Sequence, residues 1–112
     1  LPVVVQETLT GQVLMLAYAN SEALERTLKT KKATFWSTSR KQIWTKGETS
    51  GNNLMVDNVL IDCDQDALVY QVALSAGGVC HTFNSIGENR KSCFYRSYDF
   101  QKRSLDFLPN CK

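Results

Sequence analysis

The sequence has 112 residues, 43% hydrophobic and 21% charged, which fits one folded domain (1–112) with a thin core and excludes a disordered or collagen-like chain. Thirteen basic against eleven acidic residues leave a net charge of +2, too small an excess to suggest nucleic-acid or membrane-surface binding. No apolar run approaches the roughly 18 residues of a transmembrane helix. No leader is visible, and the sequence begins at Leu1 rather than Met, so it says nothing of what precedes it.

In chain order, Val3–Val5 is a β-branched run that predicts a strand. Thr10-Gly11 is a turn, and V-L-M-L-A-Y (Val13–Tyr18) is a second strand, so the two runs form a hairpin. Asn20 to Thr30 is the one main helix. Asn20 caps its start, Glu22 and Glu25 complement the positive end, and Lys29, Lys31 and Lys32 complement the negative end. Ala23, Leu24, Thr27 and Leu28 form its narrow apolar stripe. Short strands are expected at Thr34–Ser37 and Ile43–Thr45, and stronger ones at Leu54–Ile61 and Ala67–Ala73, with Leu68, Tyr70 and Val72 on one face. Val79–Thr82 and Cys93–Tyr95 read as short strands flanking the polar loop 84–91, and 99–108 reads as a weak helix.

Three segments carry chemistry. In Asp62-Cys63-Asp64-Gln65-Asp66, three carboxylates at alternating positions repel one another unless solvent or a cation absorbs the charge; hard oxygen ligands suit Mg²⁺. A solvated acidic turn has the same pattern. The run lacks the glycine and the later glutamate of an EF-hand loop. Negative neighbours raise a thiol pKa, so Cys63 needs a metal to be held as thiolate.

Cys80 is followed by His81, the only histidine, and Cys93 lies beyond a polar loop. Three cysteines with the histidine, or three thiolates with a water, can complete a tetrahedral zinc site. The spacing is not that of a zinc ribbon. Buried apolar cysteines, or two disulfides in an exported protein, stand beside that reading.

The third segment, Phe35 to Gly51, interleaves Trp36 and Trp44 with Arg40, Lys41 and Lys46, then closes with the hydroxyl-rich run G-E-T-S-G. Such a surface can stack a base and hold phosphate oxygens. It can equally be a core tryptophan pair with a basic rim.

Together these segments resemble the phosphoribosyl-AMP cyclohydrolase family of histidine biosynthesis. The resemblance runs from Pro2 through Arg96 and rests on six ordered motifs: V-L-M-L-A-Y, F-W-S-T-S-R, W-T-K-G-E-T-S-G, D-C-D-Q-D, C-H-T and S-C-F-Y-R. It implies a β-rich α+β fold with a small barrel-like sheet, one main helix and an intertwined homodimer.

It also implies zinc held between subunits by Cys63, Cys80 and Cys93, and Mg²⁺ held by Asp62, Asp64 and Asp66. The implied reaction is opening of the adenine ring of N1-(5-phosphoribosyl)-AMP at the N1–C6 bond by a zinc-activated water. His81 is the candidate proton carrier, or else the fourth zinc ligand. Two substrate phosphates require cations, and Arg40, Lys46 and Arg96 lie in matched motifs, with Glu48, Thr49 and Ser50 lining the pocket. The expected setting is the cytoplasm, with a free nucleotide as substrate and neither nucleic acid nor membrane as partner.

Two departures stand out. Phe83 to Lys91 occupy a gap that the family usually fills with about three residues, and 99–112 has no firm counterpart. Cys111 matches no ligand, and no counterpart of the pyrophosphohydrolase domain fused in some relatives is seen. The competing readings are a non-catalytic zinc-stabilised module binding RNA through Trp36–Lys46, and an exported disulfide-stapled domain.

Overall fold

The structure is a computed structural model that describes residues 1–47, 54–74 and 77–112. It contains β1 (Pro2–Glu7), β2 (Val13–Tyr18), α1 (Ser21–Thr30), β3 (Thr34–Ser37), β4 (Gln42–Thr45), β5 (Leu54–Ile61), β6 (Leu68–Leu74), β7 (Arg96–Asp99) and β8 (Ser104–Phe107). The main sheet has the order β2-β1-β6-β5, with β1 parallel to β6 and the other pairs antiparallel. The β1–β2 hairpin forms as expected, and Gly11 supplies the positive φ (78°) in its turn.

Leu68, Tyr70 and Val72 point into the core with Val3, Val5, Leu14 and Phe35, all at most 3% exposed. Helix α1 starts where Asn20 Oδ1 accepts the Ala23 N–H at 2.9 Å and ends where Lys31 turns left-handed. The buried Thr27 hydroxyl accepts from the Thr34 N–H at 3.0 Å and fastens the helix to β3. The apolar stripe is narrower than the sequence suggests: Ala23 and Thr27 are buried and Leu24 packs on the core, but Leu28 is 60% exposed. It lies on the rim of a groove against Val56 and Val59 of β5.

Three expectations are corrected. The barrel-like sheet does not close among the described residues: the four-stranded sheet ends at β2 and β5, while β3–β4 and β7–β8 are separate two-stranded sheets. Four strands are too few to close on themselves. The weak helix at 99–108 is instead the β7–β8 hairpin. Asp99 Oδ1 accepts the Gln101 and Lys102 N–H groups at 2.9 and 3.0 Å, and Arg103 adopts φ 54°, so the chain reverses before a helical turn can propagate. Val79–Thr82 and Cys93–Tyr95 are irregular rather than strands. Among the described residues no helix is long and apolar enough to cross a membrane.

Candidate metal centre

The acidic run forms the turn joining β5 to β6, where Ile61 pairs with Leu68. Asp62 shapes it: its Oδ1 accepts the Asp66 and Ala67 N–H groups at 2.9 and 3.2 Å, and Gln65 takes φ 60°. One oxygen of Asp62, the Cys63 sulfur and one oxygen of Asp64 all lie within 4.8 Å of one another, so the turn offers three ligand atoms to one ion. The Asp66 amide, with its carboxyl group, holds Asp62 below the usual carboxylate range. Hydrogen bonding to Asp62, then to Asp64, pushes the Asp66 carboxyl above its usual range. These opposite shifts reflect carboxylates crowded into one turn. All four side chains are exposed, so an ion can reach them.

The second cluster is built on loops. Cys80 is buried, Cys93 is exposed, and each thiol shifts the ionisation of the other. The Thr82 hydroxyl sits 2.9 Å and its amide nitrogen 3.4 Å from the Cys80 sulfur. Burial works against ionisation of Cys80, but Thr82, the Cys93 thiol and the charge of Arg90 outweigh it and lower its pKa. Cys93 is pushed up to about 11 by the packing around its sulfur and then by the neighbouring Cys80, with Lys46 pulling the other way. A pair of sulfurs that cannot easily both ionise, faced by N–H and O–H donors, suits a soft divalent cation.

The Cys93 backbone is placed by the sheet. Its N–H donates to Leu14 O of β2 at 2.7 Å, and the buried Ser92 hydroxyl reaches Val13 O and Leu14 O at 2.8 and 3.2 Å. Next to it, Lys91 Nζ lies 2.6 Å from Glu7 Oε1 at the end of β1. This partner and the Thr10 hydroxyl hold the Glu7 carboxyl below its usual range.

The structure therefore brings Cys80 and Cys93 together and leaves Cys63 with the aspartates. Among the described residues, the grouping of three ligand atoms that can share an ion is Asp62, Cys63 and Asp64, not the three cysteines. His81 is exposed directly after Cys80, and Lys46 acts on Cys93. Arg40 lines a hollow of about 350 Å³ with Ser37, Gln42 and Trp44 in the β3–β4 hairpin. Arg96 is exposed at the start of β7, its guanidinium 5.7 Å from the Tyr95 ring. Glu48, Thr49 and Ser50 lie outside the described residues.

Trp36 and Trp44 pack against the core, and Trp44 meets Phe35 at 4.8 Å between ring centroids, so both rings are engaged in packing. All four cysteines are free thiols. The sequence reading missed Thr82, Ser92 and the Glu7–Lys91 pair. The first two were visible as hydroxyls flanking the cysteines in C-H-T and S-C; nothing local marked Glu7.

The family model for phosphoribosyl-AMP cyclohydrolase matches residues 15–95. The chain belongs to this family. It is 52% identical over 107 residues to the histidine biosynthesis bifunctional protein HisIE of Thermus thermophilus, covering 96% of this chain and 47% of that protein. It is 48% identical over 99 residues to a phosphoribosyl-AMP cyclohydrolase of Methanothrix thermoacetophila, covering 88% of this chain and 76% of that one. A phosphoribosyl-AMP cyclohydrolase of Methanothermobacter thermautotrophicus is 53% identical over 96 residues, with 86% of this chain and 64% of the relative covered. The chain thus spans about half of the bifunctional relative and about two-thirds to three-quarters of the others.

Proposed function

We propose that the chain acts as a single domain that hydrolyses the N1–C6 bond of the adenine ring of N1-(5-phosphoribosyl)-AMP. The observation that carries this reading, beyond family membership, is the split set of ligands. Two adjacent thiols with an exposed histidine beside them form one half-site, and a third thiol amid carboxylates forms the other. In this reading zinc binds Cys80 and Cys93 of one copy with Cys63 of a second, and Mg²⁺ binds Asp62, Asp64 and Asp66. The homodimer is supported by surface. The chain exposes 7535 Å², against roughly 6,200 Å² for a compact monomer of this mass. Leu16 and Tyr18 on edge strand β2, and Leu60 and Ile61 on edge strand β5, are all 43–57% exposed.

Zinc at such a site supplies a Lewis acid able to bring the pKa of a water to about 7. The residues of the chain do the rest. The ribosyl group on N1 makes the ring electron-poor, so C6 accepts a nucleophile and N1 leaves as the ring opens to a carboxamide and a formamidine. His81, an imidazole that can both accept and donate a proton, takes one as the nucleophile adds and returns one as the C–N bond breaks. In this reading Lys46, whose charge is felt at Cys93, holds a phosphate beside the reacting ring. Arg40 and Arg96 serve the more distant phosphate contacts, with Glu48, Thr49 and Ser50 lining the pocket. The asparticrich turn neutralises charge and steadies Cys63. Such an enzyme uses a free nucleotide and works in the cytoplasm.

The test is turnover by purified protein loaded with zinc and Mg²⁺, read as the rise in absorbance of the formimino product. Cys93→Ala is expected to lose both zinc and turnover. Absence of turnover in the metal-loaded protein, or a normal rate in Cys93→Ala, contradicts the reading.

A further inference from the structure

The two stretches that depart from the family pattern, the loop 83–91 and the segment 99–112, meet on one side chain. Arg90 lies alongside the first thiol. Its carbonyl accepts the Cys80 N–H at 3.0 Å, and its N–H donates to Thr82 O at 3.0 Å. Those are the cysteine and the residue whose hydroxyl and amide face that cysteine's sulfur. The Asn89 side chain donates to Cys80 O at 3.0 Å from the same stretch. The approach is close: a Cβ at Gly78 would stand 2.2 Å from Arg90 O, so only glycine fits opposite.

The Arg90 side chain runs the other way. Its Nε donates to Cys111 O at 2.7 Å, and its guanidinium stacks 4.1 Å from the Tyr95 ring centroid and 5.6 Å from that of Phe107. The two rings are themselves stacked at 6.0 Å, and Leu108 N–H donates to Tyr95 O at 2.9 Å. The chain end also returns to the loop, where Ser85 N–H donates to Lys112 O at 2.9 Å.

We propose that Arg90 is a positioning residue for the thiol site: its main chain fixes Cys80 and Thr82, and its side chain makes the C-terminal segment 95–112 a strap that holds that main chain in place. The proposal rests on the reading that Cys80 and Cys93 hold the metal. It adds a role for the long loop and for the tail. A planar cation is needed because the stack and the Nε hydrogen bond act together, which a lysine cannot reproduce in full. Outer-shell groups that orient metal ligands characteristically change metal affinity by about 10- to 100-fold when lost.

The experiment uses full-length protein loaded with Co²⁺ in place of zinc. The thiolate-to-cobalt charge-transfer band and the visible ligand-field bands are recorded, and affinity is measured by competition with a chelator. Wild type is expected to show the band. Arg90→Ala should bind Co²⁺ about 10- to 100-fold more weakly, with altered ligand-field bands, and Arg90→Lys should recover part of the loss. Tyr95→Leu should shift affinity in the same direction as Arg90→Ala, through the strap alone. Leu24→Ala, which weakens the core away from the site, should lower the melting temperature without moving the spectrum. If wild type shows the band and Arg90→Ala keeps the same affinity and spectrum, the positioning role is wrong. If Leu24→Ala moves the spectrum as much as Arg90→Ala, the effect is one of general stability and the role is again wrong. If wild type gives no thiolate band at all, the thiol-site reading beneath it fails first.

Discussion

The two halves of the candidate centre are built by different physics. The acidic turn is a by-product of a strand pair: β5 and β6 pair as far as Ile61 and Leu68, and the six residues between them must reverse the chain. Its geometry is local, from Asp62 bonding to amides four and five residues on. The thiol pair depends on contacts that are remote in sequence. Ser92 reaches back to β2, Lys91 to Glu7, and Arg90 forward to Cys111. The turn therefore keeps its shape at the expense of repulsion among its carboxylates, whereas the pair keeps its shape only while its anchors hold. Loss of the ion should restore repulsion in the first half and leave the second intact; loss of an anchor should loosen the second and leave the first intact.

Substitutions separate the halves. The largest effect is expected on rate rather than on assembly. His81→Ala should keep its zinc by metal analysis and lose roughly 10²- to 10⁴-fold in turnover. Loss of zinc instead would make His81 a ligand and move it from the proton path into the thiol cluster.

Next is Ser92→Ala, which removes a buried hydroxyl that donates to Val13 O and Leu14 O and accepts the Phe94 N–H. A cost of about 1–3 kcal/mol in denaturant unfolding is expected, with weaker metal binding at the thiol pair and unchanged Mg²⁺ binding at the turn. Equal loss at both would mean that the halves are not independent.

Glu7→Gln should cost about 1–2 kcal/mol near neutral pH. The sign with pH follows from the lowered Glu7 pKa. The folded state binds the proton less readily than the unfolded chain, so the stabilisation is fully present above the ordinary value of 4.5 and is lost as pH falls through the lower folded value. Wild type and Glu7→Gln should therefore converge in acid, as followed by unfolding curves at several pH values.

The smallest effect is on the turn. Asp66 is pushed up by its neighbours, so its ionisation above the ordinary 3.8 works against the fold. Asp66→Asn should raise the melting temperature of metal-free protein slightly and abolish the further rise that Mg²⁺ gives wild type. An undiminished Mg²⁺ response would remove Asp66 from the ion site.

The same contrast explains what could be read from the chain. The β1–β2 hairpin, α1 with its Asn20 cap, the β3–β4 and β5–β6 pairs and the acidic turn all announce themselves through local pattern: alternation, a capping residue, or crowded charge. The C-terminal hairpin did not, because its turn rests on one side chain, Asp99, in a stretch whose spacing also suits a helix. The loops carrying Cys80 and Cys93 read as strands because their apolar residues fit a strand. The Cys93 loop is tied instead by Ser92, whose partner carbonyls lie 78 and 79 residues away, and the Cys80 loop by the carbonyls of Arg90 and Lys91. The six motifs hold the candidate residues but not the division between them; that Cys63 stands apart from Cys80 and Cys93 is a property of the fold.

That division is the centre of the account, and a mixing experiment tests it directly. Cys63→Ser and Cys93→Ser chains, each inactive alone, are unfolded together, refolded with zinc and Mg²⁺, and assayed for ring opening. If the site is completed across a two-fold dimer, half of the pairs are mixed and one of their two sites is intact, so about a quarter of wild-type activity should return. If the mixture stays as inactive as either variant, the three sulfurs do not meet between chains, and the site proposed here is wrong.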